Sequence, residues 1–279
     1  MSALLKLRIL LLTALVSLAM TPATAASKDL AAGRKLMLLC SAHEDWCLFV
    51  ADTFGRAHAV SVELIHRSSG DALKMLADPN TASKVDVWYG GTGDPHLQAA
   101  EQRLTQPYQA VSFDRLHPWA HAQRAGWRTV GIYSGVLGFA YNAGHLARLG
   151  RAPPRCWRDL LDPAWEGRIV LPSPVSSGTR HTKLATLVQL KGEEAAFAYL
   201  RRLDREVAAY TTSGSAPLRA VSRDEPTVSV SPLHDVVSTR LSGVPTLQQA
   251  PCEGTGIEIG SMSIALQAPH LSAARDFYE

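Results

Sequence analysis

Residues 172–182, PSPVSSGTRHT, concentrate small hydroxyl side chains around Gly178. Ser176, Ser177 and Thr179 can donate hydrogen bonds from hydroxyl groups that carry no charge. Where such a segment opens a helix, unpaired backbone N–H groups add donors that bind anionic oxygens. The pattern therefore predicts a site for an oxyanion such as a phosphate ester. The alternative interpretation is a helix N-cap without a ligand, because Ser and Thr are preferred at that position in any case.

The elements before this segment predict how other donors are positioned. Strand-like segments at 35–39, 60–65 and 85–89 alternate with helical patterns at 44–56 and 72–76. This β-α-β-α-β order predicts a parallel sheet, and ligands of such sheets bind beyond the carboxyl ends of the strands. The candidate binding residues at these ends are Ser41, Arg67, Ser69, Gly70, Gly91 and Thr92.

A second α/β unit follows the same plan. Residues 168–172 and 228–230 are predicted strands, and the first of them leads into the hydroxyl-rich segment. Imidazole and carboxylate groups accept hydrogen bonds from the hydroxyl groups of a solute. The sequence does not decide which of two glutamates faces the ligand. The candidate acceptors are His234, Asp235, Glu253 and Glu258.

The four cysteines predict disulfides, since their number is even and the chain is expected to be exported. Cys40 and Cys47 are close enough to close a small loop, which leaves Cys156 with Cys252 as the long-range pair. Three connectivities remain formally possible. The spacing lacks the short Cys pairs of zinc sites, so neither a metal nor a cofactor is predicted.

The first 25 residues have the pattern of a secretory signal peptide. Basic Lys6 and Arg8 precede an apolar run at 9–20, and small residues lead to a cleavage site after Ala25. The pattern therefore predicts export from the cytoplasm. Cleavage lowers the formal charge from +3 to +1, and without a basic patch the chain is not expected to bind nucleic acid.

Catalytic motifs are not found in the sequence. It contains no G-x-S-x-G, S-x-x-K, H-E-x-x-H or Walker pattern. Ser177, His234 and Asp235 could be combined into a triad, but neighbours on one strand point to opposite faces of the sheet. The protein is therefore predicted not to be an enzyme.

Three long segments resemble periplasmic solute-binding proteins of ABC transporters, in the ferric-iron or AfuA-like group. They are DVWYGGTGDPHLQAAEQRL at 86–104, DPAWEGRIVLPSPVSSGTRHTKLATLVQLKGEEAAFAYL at 162–200 and APCEGTGIEIGSMSIAL at 250–266. The resemblance implies a monomeric α/β protein with the type II periplasmic binding fold. Two lobes joined by a hinge would close over a ligand, which an ABC permease and its ATPase then receive.

The resemblance also suggests a ligand. Ferric binders of the group carry adjacent tyrosines where this chain has Ser231-Pro232-Leu233-His234-Asp235. The His-Asp pair resembles the subgroup that binds hexose phosphates, so a phosphorylated small molecule is expected. Ferric iron and a phosphonate such as 2-aminoethylphosphonate are the alternatives.

Lobe boundaries follow from the same resemblance. Residues 26–130 are expected to form the first part of lobe 1, and residues 131–248 to form lobe 2. Residues 249–279 are expected to return to lobe 1. Relatives continue for several more helices beyond the corresponding end, so a truncated C-terminus is expected.

Overall fold

The computed structural model describes residues 33–173, 175–222 and 228–279. The predicted signal peptide lies outside these ranges. Among the helices of the described residues, none is both long and apolar enough to cross a membrane.

Strands and helices alternate along the described chain, as the apolar patterns predict. The strands are β1 (Lys35–Cys40), β2 (Ser61–His66), β3 (Val87–Thr92), β4 (Val130–Asn142), β5 (Ile169–Pro172), β6 (Val207–Thr211), β7 (Val228–Pro232), β8 (Thr246–Gln249) and β9 (Ile257–Ile264). The α-helices are α1 (Glu44–His58), α2 (Ser69–Ala77), α3 (Pro79–Ala82), α4 (Gly93–Glu101), α5 (Pro118–His121), α6 (Ala143–Arg148), α7 (Gly178–Lys191), α8 (Glu193–Leu203), α9 (Ala216–Val221), α10 (Leu233–Leu241) and α11 (Leu271–Tyr278). Short 3-10 helices lie at Phe113–Arg115, Trp157–Leu161, Pro163–Trp165 and Asp204–Glu206.

The strands form a curled sheet in the order β2-β1-β3-β9-β4-β7-β5-β6, with β8 beside β4. The outer parts are parallel, because β1 pairs with β2 and β3, and β5 pairs with β6 and β7, in the same direction. The long strand β4 joins the halves, since residues 130–136 pair with β9 and residues 137–141 with β7. This α/β arrangement agrees with the prediction of two lobes.

Each lobe has its own apolar core. Leu36, Phe54 and Ile264 belong to the first core, which also contains residues of α11. Phe139 and Trp157 belong to the second, together with side chains from β5, α7 and α8. Burial of a large apolar side chain contributes about 1.5–3 kcal/mol, so the two cores stabilise the lobes separately.

The predicted disulfides are confirmed, and one predicted strand end is wrong. Cys40 is bonded to Cys47, and Cys156 to Cys252. His234 and its neighbour Asp235 were expected at the end of a strand, but they lie in the first turn of α10. Pro232 occupies the N-cap of that helix, where its missing N–H costs little.

Candidate functional site

A cleft lies between the lobes, where strand ends and helix starts from both sides meet. The cleft is partly open to solvent, and residues of both lobes line it. The lining residues are Ser41, Ala42, His43, Ser68, Ser69, Gly91, Thr92, Tyr133, Ser177, Gly178, Thr179, Ser213, Gly214, Ser215, Pro232, His234, Asp235 and Glu258.

One side of the cleft is rich in neutral donors. The Ser69 hydroxyl accepts from the Thr92 N–H at 3.2 Å, and the Ser41 hydroxyl accepts from the Trp88 indole N–H at 2.9 Å. Each hydroxyl therefore keeps its own O–H for a further partner. The helices α2, α4 and α7 begin at this side, and the unpaired N–H groups of helix starts favour anions.

Ser177 is positioned as a cap but does not act as one. It is the N-cap residue of α7, yet its side chain makes no capping hydrogen bond. The same holds for Thr92 at the start of α4. The interpretation of the hydroxyl-rich segment as a simple helix cap is therefore wrong for Ser177.

Three buried polar atoms of residues that line the cleft have no hydrogen-bond partner within the described part of the chain. They are the hydroxyl oxygens Thr92 Oγ1 and Ser177 Oγ and, at the opposite side, the carboxyl oxygen Glu258 Oε2. His234 Nδ1 also lacks a partner, but it lies against Gly135 of β4, and Nε2 is the ring nitrogen near the two acids. An unsatisfied buried polar atom costs about 1–3 kcal/mol. A ligand that satisfies the three atoms removes this cost, so the cleft is arranged for a polar solute.

The other side of the cleft holds one imidazole and two carboxyl groups. His234 Nε2 lies 3.5 Å from Asp235 Oδ1 and 4.0 Å from Glu258 Oε1. Burial lowers the pKa of His234 to about 4 and raises the pKa of Asp235 to about 7. Burial, with the nearby Asp235 carboxyl, raises the pKa of Glu258 to about 8. Near neutral pH the imidazole is uncharged and the acid pair retains a proton, so these groups can both donate to and accept from hydroxyl groups.

Aromatic rings hold the His234 imidazole in place. Trp46 of α1 stacks on it with ring centroids 5.3 Å apart, and Tyr133 of β4 meets it edge-on at 5.4 Å. The Trp46 indole N–H also donates to Ser238 Oγ at 3.0 Å. Trp46 therefore joins lobe 1 to α10 beside the cleft.

Glu258→Gln is expected to stabilise the ligand-free protein at pH 8 and to stabilise it much less, by about 1 kcal/mol or under, at pH 5. A carboxyl whose pKa is higher in the folded than in the unfolded chain makes folding less favourable as the pH rises between the two values, here from 4.5 to about 8. The amide cannot ionise, so the gain in unfolding free energy at pH 8 is at least about 2 kcal/mol. Urea unfolding at both pH values tests this, with the exposed Glu101→Gln as control. An equal gain at both pH values would contradict it.

The structure brings ten of the predicted binding residues together. They are Ser41, Ser69, Gly91, Thr92, Ser177, Gly178, Thr179, His234, Asp235 and Glu258.

Three predicted residues lie at the edge of the cleft with other partners. Exposed Arg67 donates through Nη1 to the backbone oxygen of His66 at 2.7 Å. The Gly70 N–H donates to the Ser176 carbonyl at 3.0 Å, and the Ser176 hydroxyl donates to the Thr212 carbonyl at 2.8 Å. Gly70 and Ser176 thus join the lobes and do not line the cavity.

Of the two candidate acids, Glu258 lines the cleft and Glu253 does not. The two carboxylate oxygens of Glu253 accept from the backbone N–H groups of Trp157 at 2.7 Å and Arg158 at 3.2 Å. It therefore fixes the start of a 3-10 helix beside the Cys156–Cys252 disulfide.

Sequence reasoning missed several lining residues. Ser213, Gly214 and Ser215 follow β6 and repeat the hydroxyl-and-glycine pattern of residues 176–179, so this signal was available. A Cβ on Gly214 would lie 2.1 Å from Thr179 Oγ1, which explains the need for glycine. Tyr133 gave no comparable signal, because it lies within the long strand β4.

Comparisons with known proteins agree with this geometry. Residues 83–278 match a family described as bacterial extracellular solute-binding proteins. An uncharacterized protein of Haemophilus influenzae is 38% identical over 248 residues, which cover 88% of this chain and 72% of that protein.

Two solved structures are similar over 88% of this chain and 78% of their own. The periplasmic binding protein P5PA has a TM-score of 0.82 at 32% identity. AfuA from Actinobacillus pleuropneumoniae, with exogenous fructose-6-phosphate bound, has a TM-score of 0.81 at 38% identity. The family match over most of the chain, together with these likenesses, shows that the chain belongs to the bacterial extracellular solute-binding proteins and has the type II periplasmic binding fold.

Proposed function

We propose that this protein captures a phosphorylated small organic solute, comparable to a hexose phosphate, and delivers it to an ABC permease and its ATPase. It would act as a monomer in the periplasm. The observation that carries the proposal is the set of unpartnered atoms on residues that line the cleft: hydroxyl oxygens of Thr92 and Ser177 at one side, and a carboxyl oxygen of Glu258 at the other.

The hydroxyl-rich side suits a phosphate group. The described lining residues contribute serine and threonine hydroxyls and include neither lysine nor arginine. Many neutral donors and helix N-termini can surround the three terminal oxygens of a phosphate ester without a full counter-charge. The helix that starts at Gly178 adds its first-turn N–H groups to this side, because Gly178 and its N-cap residue Ser177 both line the cleft.

The acid-and-imidazole side suits the hydroxyl groups of a sugar. His234, Asp235 and Glu258 are buried or nearly so, and together they offer both donors and acceptors near neutral pH. The likeness to AfuA, whose structure holds fructose-6-phosphate, supports the same class of solute.

Ferric iron fits the cleft less well. Among the described residues that line the cleft, Tyr133 is the one tyrosine. Its hydroxyl oxygen accepts a hydrogen bond from the Gly91 N–H at 3.0 Å. Burial raises the pKa of Tyr133 well above its ordinary value, so a phenolate ligand is costly to form. Among the described residues, the group of possible metal ligands that lie close together is Cys156, Cys252 and Glu253. Its two sulfur atoms are joined in a disulfide, so they are not free thiolates that could bind a metal.

Ligand identification by mass spectrometry tests the proposal, because a tightly bound solute is carried through purification. We expect a phosphate ester, and calorimetry with fructose-6-phosphate should then show saturable binding without release of inorganic phosphate. A coloured iron complex would favour the ferric alternative. Hydrolysis of the ester would instead indicate an enzyme.

His234→Ala is expected to weaken fructose-6-phosphate about five- to tenfold and inorganic phosphate less than twofold. The imidazole faces the solute at the side away from the hydroxyl groups, and a lost hydrogen bond to a polar ligand is worth about 1–1.5 kcal/mol. Calorimetric titration measures both affinities, and His117→Ala, an exposed histidine outside the cleft, is the control. Equal losses for both ligands would contradict this division of the cleft.

A further inference from the structure

A second pocket lies on lobe 2, between α7, α8 and the strands β5 and β6. Its volume is about 450 Å³, and it shares no lining residue with the cleft. Leu171, Leu184, Phe197, Leu200 and Leu203 form an apolar wall. A volume of this size lies within the ~300–1,000 Å³ typical of small-molecule sites.

The pocket contains cationic groups that lack an acidic partner. Lys183 is only 5% exposed, and no hydrogen bond or ion pair of its ammonium occurs among the described residues. Arg180 Nε is buried without a hydrogen-bond partner in the described chain, while Arg180 Nη2 lies 3.3 Å from His181 Nε2. Arg201 adds a third positive charge at the rim, while the acid of this pocket, Asp204, already accepts from the Tyr210 hydroxyl.

A structural role alone does not account for Lys183. Lysine commonly buries its methylene stem against apolar neighbours while the ammonium remains in water. Here only 5% of the residue is exposed, and burial together with the Arg180 guanidinium lowers the pKa of Lys183 to about 8, although the Asp204 carboxylate opposes the shift. One acid compensates the cations of the pocket only in part, and an anion bound there would relieve the excess positive charge.

We propose that this pocket binds a small organic carboxylate with an apolar body. Its carboxylate pairs with Lys183 and Arg180, and its hydrocarbon part lies against Phe197, Leu200 and Leu203. Charge complementarity selects an anion, since the pocket has three cationic side chains and one acid. The apolar wall selects a hydrocarbon chain or ring over a small hydrophilic anion.

Octanoate and octan-1-ol, which share a chain length and differ in charge, test the proposal in the unmodified protein. Calorimetry is expected to show at least tenfold tighter binding of octanoate. Equal affinities would overturn the proposal, as would the absence of octanoate binding.

The Lys183→Met variant tests whether octanoate binds in this pocket. The substitution keeps the length of the side chain and removes a buried unpaired charge, so the fold is expected to remain intact. Octanoate should bind at least tenfold more weakly and octan-1-ol equally well. Lys191→Met, on the same helix but outside the pocket, is the matched control and should change neither affinity.

Phe197→Asp is a second variant that does not disturb the core, because this side chain is 41% exposed. It places a negative charge at the apolar wall and should weaken octanoate more than octan-1-ol. Unchanged octanoate binding in both Lys183→Met and Phe197→Asp would overturn the proposal.

Discussion

Ser177→Asp is expected to reduce the affinity for fructose-6-phosphate about a thousandfold. Ser177 is 3% exposed, and its Oγ lies in the cleft without a partner. A carboxylate there would face the phosphate group, and two like charges ~4 Å apart repel by roughly 4 kcal/mol at an effective dielectric constant of about 20. Every 1.4 kcal/mol changes affinity about tenfold. Isothermal titration calorimetry measures the loss.

A melting curve checks that the aspartate variant folds, since residue 177 is buried and aspartate at this N-cap position can accept from the free N–H groups of α7. Ser177→Ala is the matched control. It removes one neutral donor and should cost about five- to tenfold in affinity. If the aspartate variant bound no more weakly than the alanine variant, Ser177 would not contact the anion.

Gly178→Ala is expected to reduce solute affinity at least a hundredfold while the melting temperature stays unchanged or rises. A Cβ at this position would lie 1.8 Å from Thr92 Oγ1, 2.9 Å from Thr92 Cβ and 3.0 Å from Thr92 Cγ2. Because both branches of the threonine are close, rotating its side chain does not clear the space. Gly178 belongs to lobe 2 and Thr92 to lobe 1, so the clash opposes closure and leaves each lobe intact.

The melting temperature separates this effect from misfolding, since alanine favours a helix more than glycine does. Gly144→Ala is the control, because it also lies in the first turn of a helix and its added Cβ would meet Asn142 Oδ1 at 3.3 Å within the same lobe. Small-angle scattering with ligand should show a larger radius of gyration for Gly178→Ala than for wild type. Wild-type affinity in this variant would mean that binding does not require the lobes to approach as closely as they do here.

Closure also depends on contacts outside the cavity. The Gly70–Ser176 backbone hydrogen bond joins the lobes at the hydroxyl-rich segment. The Trp46–Ser238 hydrogen bond joins them beside the His234 imidazole. Separation of the lobes to admit a solute would break both of these contacts. Their free energy therefore sets part of the balance between the open and closed states.

The amino-acid sequence by itself determined which segments could bind an anion. Hydroxyl-rich turns after β1, β3 and β5 follow from local patterns, since strand periodicity and helix-start residues are properties of a few consecutive positions. The disulfide pairs were also predictable, because Cys40 and Cys47 are near neighbours and two cysteines then remain.

Only the tertiary structure decided which residue of each segment faces the cleft. Ser176 and Ser177 are adjacent and chemically identical, yet one hydroxyl binds the Thr212 carbonyl and the other points into the cavity. Glu253 and Glu258 are both acids near the chain end, but Glu253 binds backbone N–H groups 95 residues or more away in sequence. Side-chain direction in these cases is set by packing against distant segments, which no local pattern contains.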